Sequence, residues 1–218
     1  SPGIHMVYSG GTTGRPKGVR LPLPEGGVTD LSMLAAKARD GYGLGPGDVY
    51  LSPAPLYHTA PLVFTTTCPR HGAPAVQMPK FHAEAAVAAI EAYRVTISQM
   101  VPTMFVRLLK LPDAVRTAYD LSSLATVIHA AAPCPVPIKR QMIEWLGPII
   151  YEYYGGSEGN GSTGISSAEW LEKPGSVGRA TWGTLHICDE AGNELPPGEQ
   201  GIVYFEGGWV FQYLGDPD

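Results

Sequence analysis

The chain has 218 residues, 44% of them apolar, and a formal net charge of −5, which excludes a disordered tail and bounds it to one large or two small globular domains. Its fifteen Lys and Arg residues are scattered without a basic block, so the electrostatic footprint of a nucleic-acid binder is missing and small-molecule chemistry is favoured.

The first six residues, Ser-Pro-Gly-Ile-His-Met, look like a cloning scar and are set aside, leaving a chain that begins at once on Val7-Tyr8 and a glycine-rich loop. Val7 and Tyr8 read as the end of a strand, and Ser9 to Gly18 as a turn that exposes backbone N–H groups. Residues 30 to 40 read as a helix, capped by Thr29 or Asp30, with Leu31, Leu34, Ala35 and Ala38 on one face and Gly41 as a stop. Val49 to Ser52 is a short strand, residues 82 to 94 an alanine-rich helix, and Thr96 to Val101 another strand. A helix from Thr103 to Leu111, a strand at Thr126 to His129, a helix from Pro137 to Leu146 and a buried strand from Ile149 to Tyr154 continue the alternation. The pattern predicts an α/β fold, a layered and mostly parallel sheet covered by helices, over residues 7–174. After Gly175 short strands (Thr184 to Cys188, Gly201 to Glu206) broken by Gly, Pro, Asn and Asp predict a small β-rich subdomain over residues 175–218.

Cys68, Cys134 and Cys188 are odd in number and in no Cys-x-x-Cys arrangement, which argues against a disulfide scaffold or zinc site and for reduced thiols. No apolar run approaches the ~20 residues needed to span a bilayer, and no secretory leader is recognisable, so a cytoplasmic protein is expected.

The loop Ser9-Gly10-Gly11-Thr12-Thr13-Gly14-Arg15-Pro16-Lys17-Gly18 combines glycines that let amides approach an anion, hydroxyls that donate to it and a lysine that supplies charge. Those are the requirements of a polyphosphate cradle, although the spacing is not that of a Walker loop. An ordinary surface turn would explain the glycines but not two threonines followed by Pro-Lys-Gly. Downstream, Glu152-Tyr153-Tyr154-Gly155-Gly156-Ser157-Glu158 places a carboxylate after a strand and a glycine turn.

Tyr8 to Val19 resembles the signature loop of the adenylate-forming superfamily of acyl-CoA synthetases, peptide-synthetase adenylation domains and luciferases. Residues 152–158 resemble that family's Tyr-Gly-x-Thr-Glu segment, in the right order and at about the right distance. Pro55-Leu56-Tyr57-His58, Val101-Pro102-Thr103, Ala130-Ala131-Ala132-Pro133, Gly175-Ser176-Val177-Gly178-Arg179 and Leu195-Pro196-Pro197-Gly198-Glu199 resemble its intervening and later motifs, so the resemblance covers residues 7–218. The general tenor is closest to bacterial fatty-acyl-CoA ligases.

The resemblance implies that Thr12, Thr13 and Lys17, with the amides of Ser9, Gly10, Gly11 and Gly14, hold the ATP phosphates, and that Glu158 holds magnesium. It implies adenine beside Ala131, Ala132 and Pro133 and stacked on Tyr154, the α-phosphate near Ser157, and room for the acyl group at Gly155 and Gly156. Tyr57 and His58 would lie near the acyl carboxylate or thiol path, although His58 alone could merely cap a backbone group. Tyr153 is expected to pack rather than bind, and His71 and His82 to be surface residues. Glu152 stands where Asn or Gln is frequent, which leaves its contact near the purine open.

The implied reaction uses ATP, magnesium (Mg2+) and CoA to convert a carboxylic acid, favoured as a medium or long fatty acid, to an acyl-adenylate and then an acyl-CoA. Aryl- or bile-acid-type ligation, or a non-catalytic nucleotide-binding module, are the alternatives. The family's ribose-binding aspartate, hinge and mobile catalytic lysine would lie beyond Asp218 and a large segment before Val7. The chain is therefore expected to be an internal piece, inactive alone and prone to self-association through uncovered apolar faces. A dinucleotide-binding reading of Gly159-Asn160-Gly161-Ser162-Thr163-Gly164 fails, because the helix that would follow is too short and no acidic residue ends a second strand.

Overall fold

A computed structural model describes residues 3–8, 16–23, 25–27 and 33–215. The expected Thr29 or Asp30 cap lies outside them. Strands β1 (Val7–Tyr8) and β2 (Gly18–Arg20) are followed by α1 (Met33–Tyr42), β3 (Tyr50–Ser52), α2 (Thr59–Thr67), β4 (Ala75–Gln77), α3 (Ala83–Tyr93) and β5 (Ile97–Met100). Then come α4 (Pro102–Leu109), α5 (Asp113–Arg116), β6 (Thr126–His129), α6 (Val136–Leu146), β7 (Ile150–Gly155), β8 (Ser162–Ile165), α7 (Ser167–Glu172), β9 (Arg179–Trp182), β10 (Thr184–Cys188), β11 (Ile202–Glu206) and β12 (Gln212–Tyr213). The expected layered α/β architecture is present.

The main sheet has the order β4-β3-β5-β6-β7-β8-β9. Its first five strands are parallel, and β8 and β9 return antiparallel. Helical connections between parallel strands supply both covering layers, as parallel sheets require. Neighbouring strand residues face opposite layers: Leu51 and Val127 join the core of Phe105, Met142, Ile143 and Trp170, whereas Tyr50 and Ile128 join that of Ala38, Leu44 and Cys68. All three cysteines are free.

Several elements differ from expectation, among them β4, which was not predicted. Helix α1 continues through Gly41 and stops at Gly43, whose φ of +72° only glycine adopts without strain. The nine-residue α2, rich in β-branched threonine, was not predicted; Pro61 and Thr67 are buried and Phe64 packs on Tyr50 at 5.8 Å between ring centroids. Residues beyond Gly175 divide among three sheets: β9 extends the main sheet, β10 and β11 form a hairpin, and β12 joins β1 and β2. The last arrangement brings β12 beside β2, near the start of the chain.

Residues set aside as a cloning scar make contacts of their own. Ile4 packs against Val7, Val19 and Leu21, and the His5 imidazole lies 3.1 Å from the Thr66 hydroxyl.

Candidate active site

Strand β7 ends at Gly155, and residues 156–161 turn back into β8, with Gly155 opposite Ser162. The closeness of this turn depends on glycine: a methyl on Gly155 would stand 2.9 Å from the Gly161 carbonyl. The run Gly159 to Gly164 thus enters a strand rather than a helix, which removes the geometry of a dinucleotide fingerprint. On the turn, the Ser157 hydroxyl lies 3.0 Å from that of Thr59, the first residue of α2.

Glu158 is half-buried on the same turn, and its Oε1 accepts a hydrogen bond from the Tyr213 hydroxyl at 3.1 Å. Lys17, immediately before β2, places Nζ 4.7 Å from the centroid of the Tyr213 ring, within cation–π range. Pairing of Tyr213 with Val19 sets this geometry. Tyr213 therefore ties the lysine of the glycine-rich loop to the carboxylate 141 residues downstream. A methyl on Gly156 would stand 2.7 Å from Glu158 Oε2, so glycine there keeps space beside the second carboxylate oxygen.

That carboxylate suits magnesium, a hard cation that takes one or two carboxylates alongside substrate phosphates. Among the described residues no group of three or more His, Cys, Asp or Glu could hold a metal by itself. Phosphate oxygens would have to complete the coordination.

Beside the turn lies a cavity of about 880 Å³, lined mainly by apolar atoms, with α1, α2, β7, β8 and β9 contributing residues that include Val63, Phe64, Tyr153, Gly155 and Trp182. Its size lies within the usual range for small-molecule sites. Tyr153 both lines it and packs against the Tyr50 cluster, and burial pushes its phenol up to about 12.

The expected site residues divide into four groups, the last being Tyr57 and His58. Ser9, Gly10, Gly11, Thr12, Thr13 and Gly14 lie outside the described residues. Gly155, Gly156 and Ser157 line the cavity, Glu158 lies on the same turn, and Lys17 meets it through Tyr213. Tyr154 is exposed, with its ring 6.4 Å from that of Phe205, and Ala131, Ala132 and Pro133 are exposed on the loop after β6. Ala131 has φ of +75°, a conformation that costs a non-glycine residue roughly 1–2 kcal/mol, as strained backbone at ligand sites often does.

Tyr57 and His58 are exposed and do not line the cavity. His58 is the N-cap of α2, but its side chain makes no capping hydrogen bond, so the capping role is not realised. His82 is exposed as expected, whereas His71 is half-buried.

Glu152, whose contact was left open, is committed to partners within the protein. It is buried, and its Oε2 accepts from Lys139 Nζ at 2.6 Å and lies 3.5 Å from His129 Nε2. Lys139 is fully buried, with its ammonium 4.9 Å from the Trp170 ring centroid. Burial lowers the Lys139 pKa, and its hydrogen bond to Glu152 opposes that shift. His129 is fully buried with neither ring nitrogen hydrogen-bonded, and burial, then the Lys139 charge, pull its pKa down to about 3.

The sequence reading missed Thr59, Tyr213 and Lys139. For Lys139 a signal existed, because it shares a helical face with the buried Met142 and Ile143. Thr59 and Tyr213 carried no such mark.

A family model described as AMP-binding enzyme matches residues 4–214. The chain belongs to the AMP-binding enzyme family. Its relatives in that family include 4-coumarate-CoA ligase 1 of Narcissus pseudonarcissus, 31% identical over 99% of this chain and 40% of the relative. Medium/long-chain-fatty-acid--CoA ligase FadD8 of Mycobacterium tuberculosis is 32% identical over 94% of this chain and 35% of the relative. Among solved structures, ATP-bound MatB of Rhodopseudomonas palustris is 28% identical and aligns with a TM-score of 0.75 over 94% of this chain and 40% of MatB. The chain thus spans about two-fifths of the length of the relatives it matches. The motif resemblance to adenylate-forming enzymes is borne out, and its relatives include both aryl and fatty acid ligases.

Among the described residues no helix is long and apolar enough to cross a membrane.

Proposed function

We propose that this chain forms the nucleotide- and acyl-binding part of an AMP-forming acyl-CoA ligase. The observation that carries the reading is the Lys17–Tyr213–Glu158 connection, whose carboxylate sits on the turn next to Ser157, itself in the wall of an apolar cavity. Lys17 supplies positive charge to the ATP phosphates, Glu158 offers a hard oxygen ligand for magnesium, and Ser157 offers a hydroxyl beside the α-phosphate. Thr12, Thr13 and the amides of Ser9, Gly10, Gly11 and Gly14 complete the phosphate cradle. Ala131, Ala132, Pro133 and Tyr154 take the adenine. Magnesium, when bound, neutralises phosphate charge, while the protein positions the acid carboxylate for attack on the α-phosphate. Pyrophosphate leaves, and the thiol of CoA then displaces AMP from the acyl-adenylate, with Tyr57 and His58 near its path.

A medium- or long-chain fatty acid is the favoured substrate, supported by the cavity's apolar walls and by the fatty acid ligase among the relatives. An aryl acid is the second reading, supported by the 4-coumarate ligase. Two-fifths of a ligase lacks the groups that the remaining length supplies, so the chain alone should bind nucleotide without turning over. The test is acid-dependent ATP–pyrophosphate exchange by the complete enzyme, run with decanoate and with 4-coumarate. Exchange with decanoate supports the fatty acid reading, and exchange with 4-coumarate alone transfers it to aryl acids. Nucleotide binding without exchange for any acid would leave a non-catalytic nucleotide-binding module.

A further inference from the structure

The cavity holds a cation that the proposed adenylation does not use. Lys37, on α1, is half-buried in the cavity wall, and its ammonium donates to the Ser162 hydroxyl at 2.8 Å. Ser162 Oγ in turn lies 3.0 Å from Thr181 Oγ1. No carboxylate among the described residues forms an ion pair with Lys37.

The three carboxylates lining the cavity have other partners. Asp40 is paired with Arg39 at 2.8 Å and Glu152 with Lys139 at 2.6 Å; Glu169 accepts from the backbone and hydroxyl of Ser166 in a capping box. An ammonium carries three donors, and Lys37 uses one of them on a neutral hydroxyl. Burial without a counter-charge disfavours its charged form and lowers its pKa. An anion in the cavity would remove that penalty.

We infer that Lys37, with the Ser162 and Thr181 hydroxyls, reads a second carboxylate at the far end of the acid substrate. The preferred ligand is then an α,ω-dicarboxylic acid with an apolar spacer. This inference rests on the reading of the cavity as the acyl site. Ser157, beside which the α-phosphate and so the reacting carboxylate belong, is on the turn; Lys37 bonds to Ser162 at its base, opposite Gly155. Only Gly156 lies between Gly155 and Ser157, a reach of at most about 7 Å. A substrate that meets both therefore needs no more than a short apolar spacer between its carboxylates.

The test is calorimetric titration of the chain with hexanoate and hexanedioate, with shorter and longer pairs, for the native protein, Lys37→Met and Lys37→Arg. Mg·ATP is titrated into the same samples, and unfolding midpoints confirm that the variants fold. A charge-assisted hydrogen bond predicts a diacid preference of about tenfold or more in the native protein. The preference should vanish in Lys37→Met and persist in Lys37→Arg. Equal affinity for mono- and diacids at every length, a preference that survives Lys37→Met, or no binding of either acid overturns the inference. If Mg·ATP still binds in that event, the ligase reading stands; if Mg·ATP does not bind the native protein, the failure belongs to that reading.

Discussion

Replacing Lys139 by Met tests whether the buried pair beneath the site is structural. The substitution keeps an unbranched side chain of similar length on the face shared with Met142 and Ile143 but removes the ammonium 2.6 Å from Glu152. The Glu152 carboxylate, itself only 8% exposed, is then left without its cation, and the nearest titratable group is His129, at 3.5 Å. Breaking one side of a buried pair costs about 3–5 kcal/mol, because the remaining charge is uncompensated. For a chain of this size that lowers the thermal midpoint by roughly 6–20 °C. Removing both charges in Lys139→Met/Glu152→Gln should recover most of the loss, since the desolvation penalty disappears with them. Denaturant unfolding of the two variants beside the native protein measures this. A single variant that costs less than about 1 kcal/mol, or a double variant no better than the single one, would refute the reasoning.

Acid should weaken the fold through His129. Its folded pKa of about 3 lies below the ordinary value of 6.5, so the unfolded chain binds its proton first. The contribution of neutral His129 is fully present above about pH 6.5 and is lost progressively as pH falls towards 3, reaching about 2 kcal/mol at pH 5. Unfolding curves of native protein and His129→Phe from pH 7 to pH 5 should diverge by that amount, and parallel curves would contradict the assignment. Tyr213→Phe removes the hydroxyl that bonds Glu158 but keeps the ring under Lys17. Mg·ATP affinity should fall about fivefold, the usual value of one hydrogen bond, with stability nearly unchanged; unaltered affinity would remove Tyr213 from the site. Ile202, Val203, Tyr204, Val210 and Leu214 are large apolar residues left exposed near the end of the chain, and self-association should appear in sedimentation as concentration rises. A monomer throughout would contradict it.

Most of the parallel half of the sheet was legible, because β3, β5, β6 and β7 are short apolar runs and α3, α4 and α6 have apolar spacing, as in Ala86, Val87 and Ile90 of α3; the three-residue β4 was not read. Helix α2 was not, since its threonines favour strand locally and packing of Phe64 against Tyr50 decides otherwise. The antiparallel return through β8 and β9 was also hidden, because Gly159 to Gly164 carries turn residues rather than an alternating pattern. At the site, Lys17 and Glu158 could be read from motifs, each within a few residues of its glycines. Tyr213 could not, because its role arises only when β12 pairs with β2 across the length of the chain. Glu152 and Lys139 needed the fold as well, though the spacing of Lys139 with Met142 and Ile143 already put a charge on a buried face.

The central claim is that the glycine-rich loop and the Glu158 turn form one nucleotide site. Calorimetric titration of this chain with Mg·ATP, beside Lys17→Ala, tests it most directly. The account predicts saturable one-to-one binding to the native protein and a loss of about tenfold or more in the variant, as expected when a charge-assisted contact to phosphate is removed. Native protein that does not bind Mg·ATP, or a Lys17→Ala variant that binds it equally well, would contradict the claim.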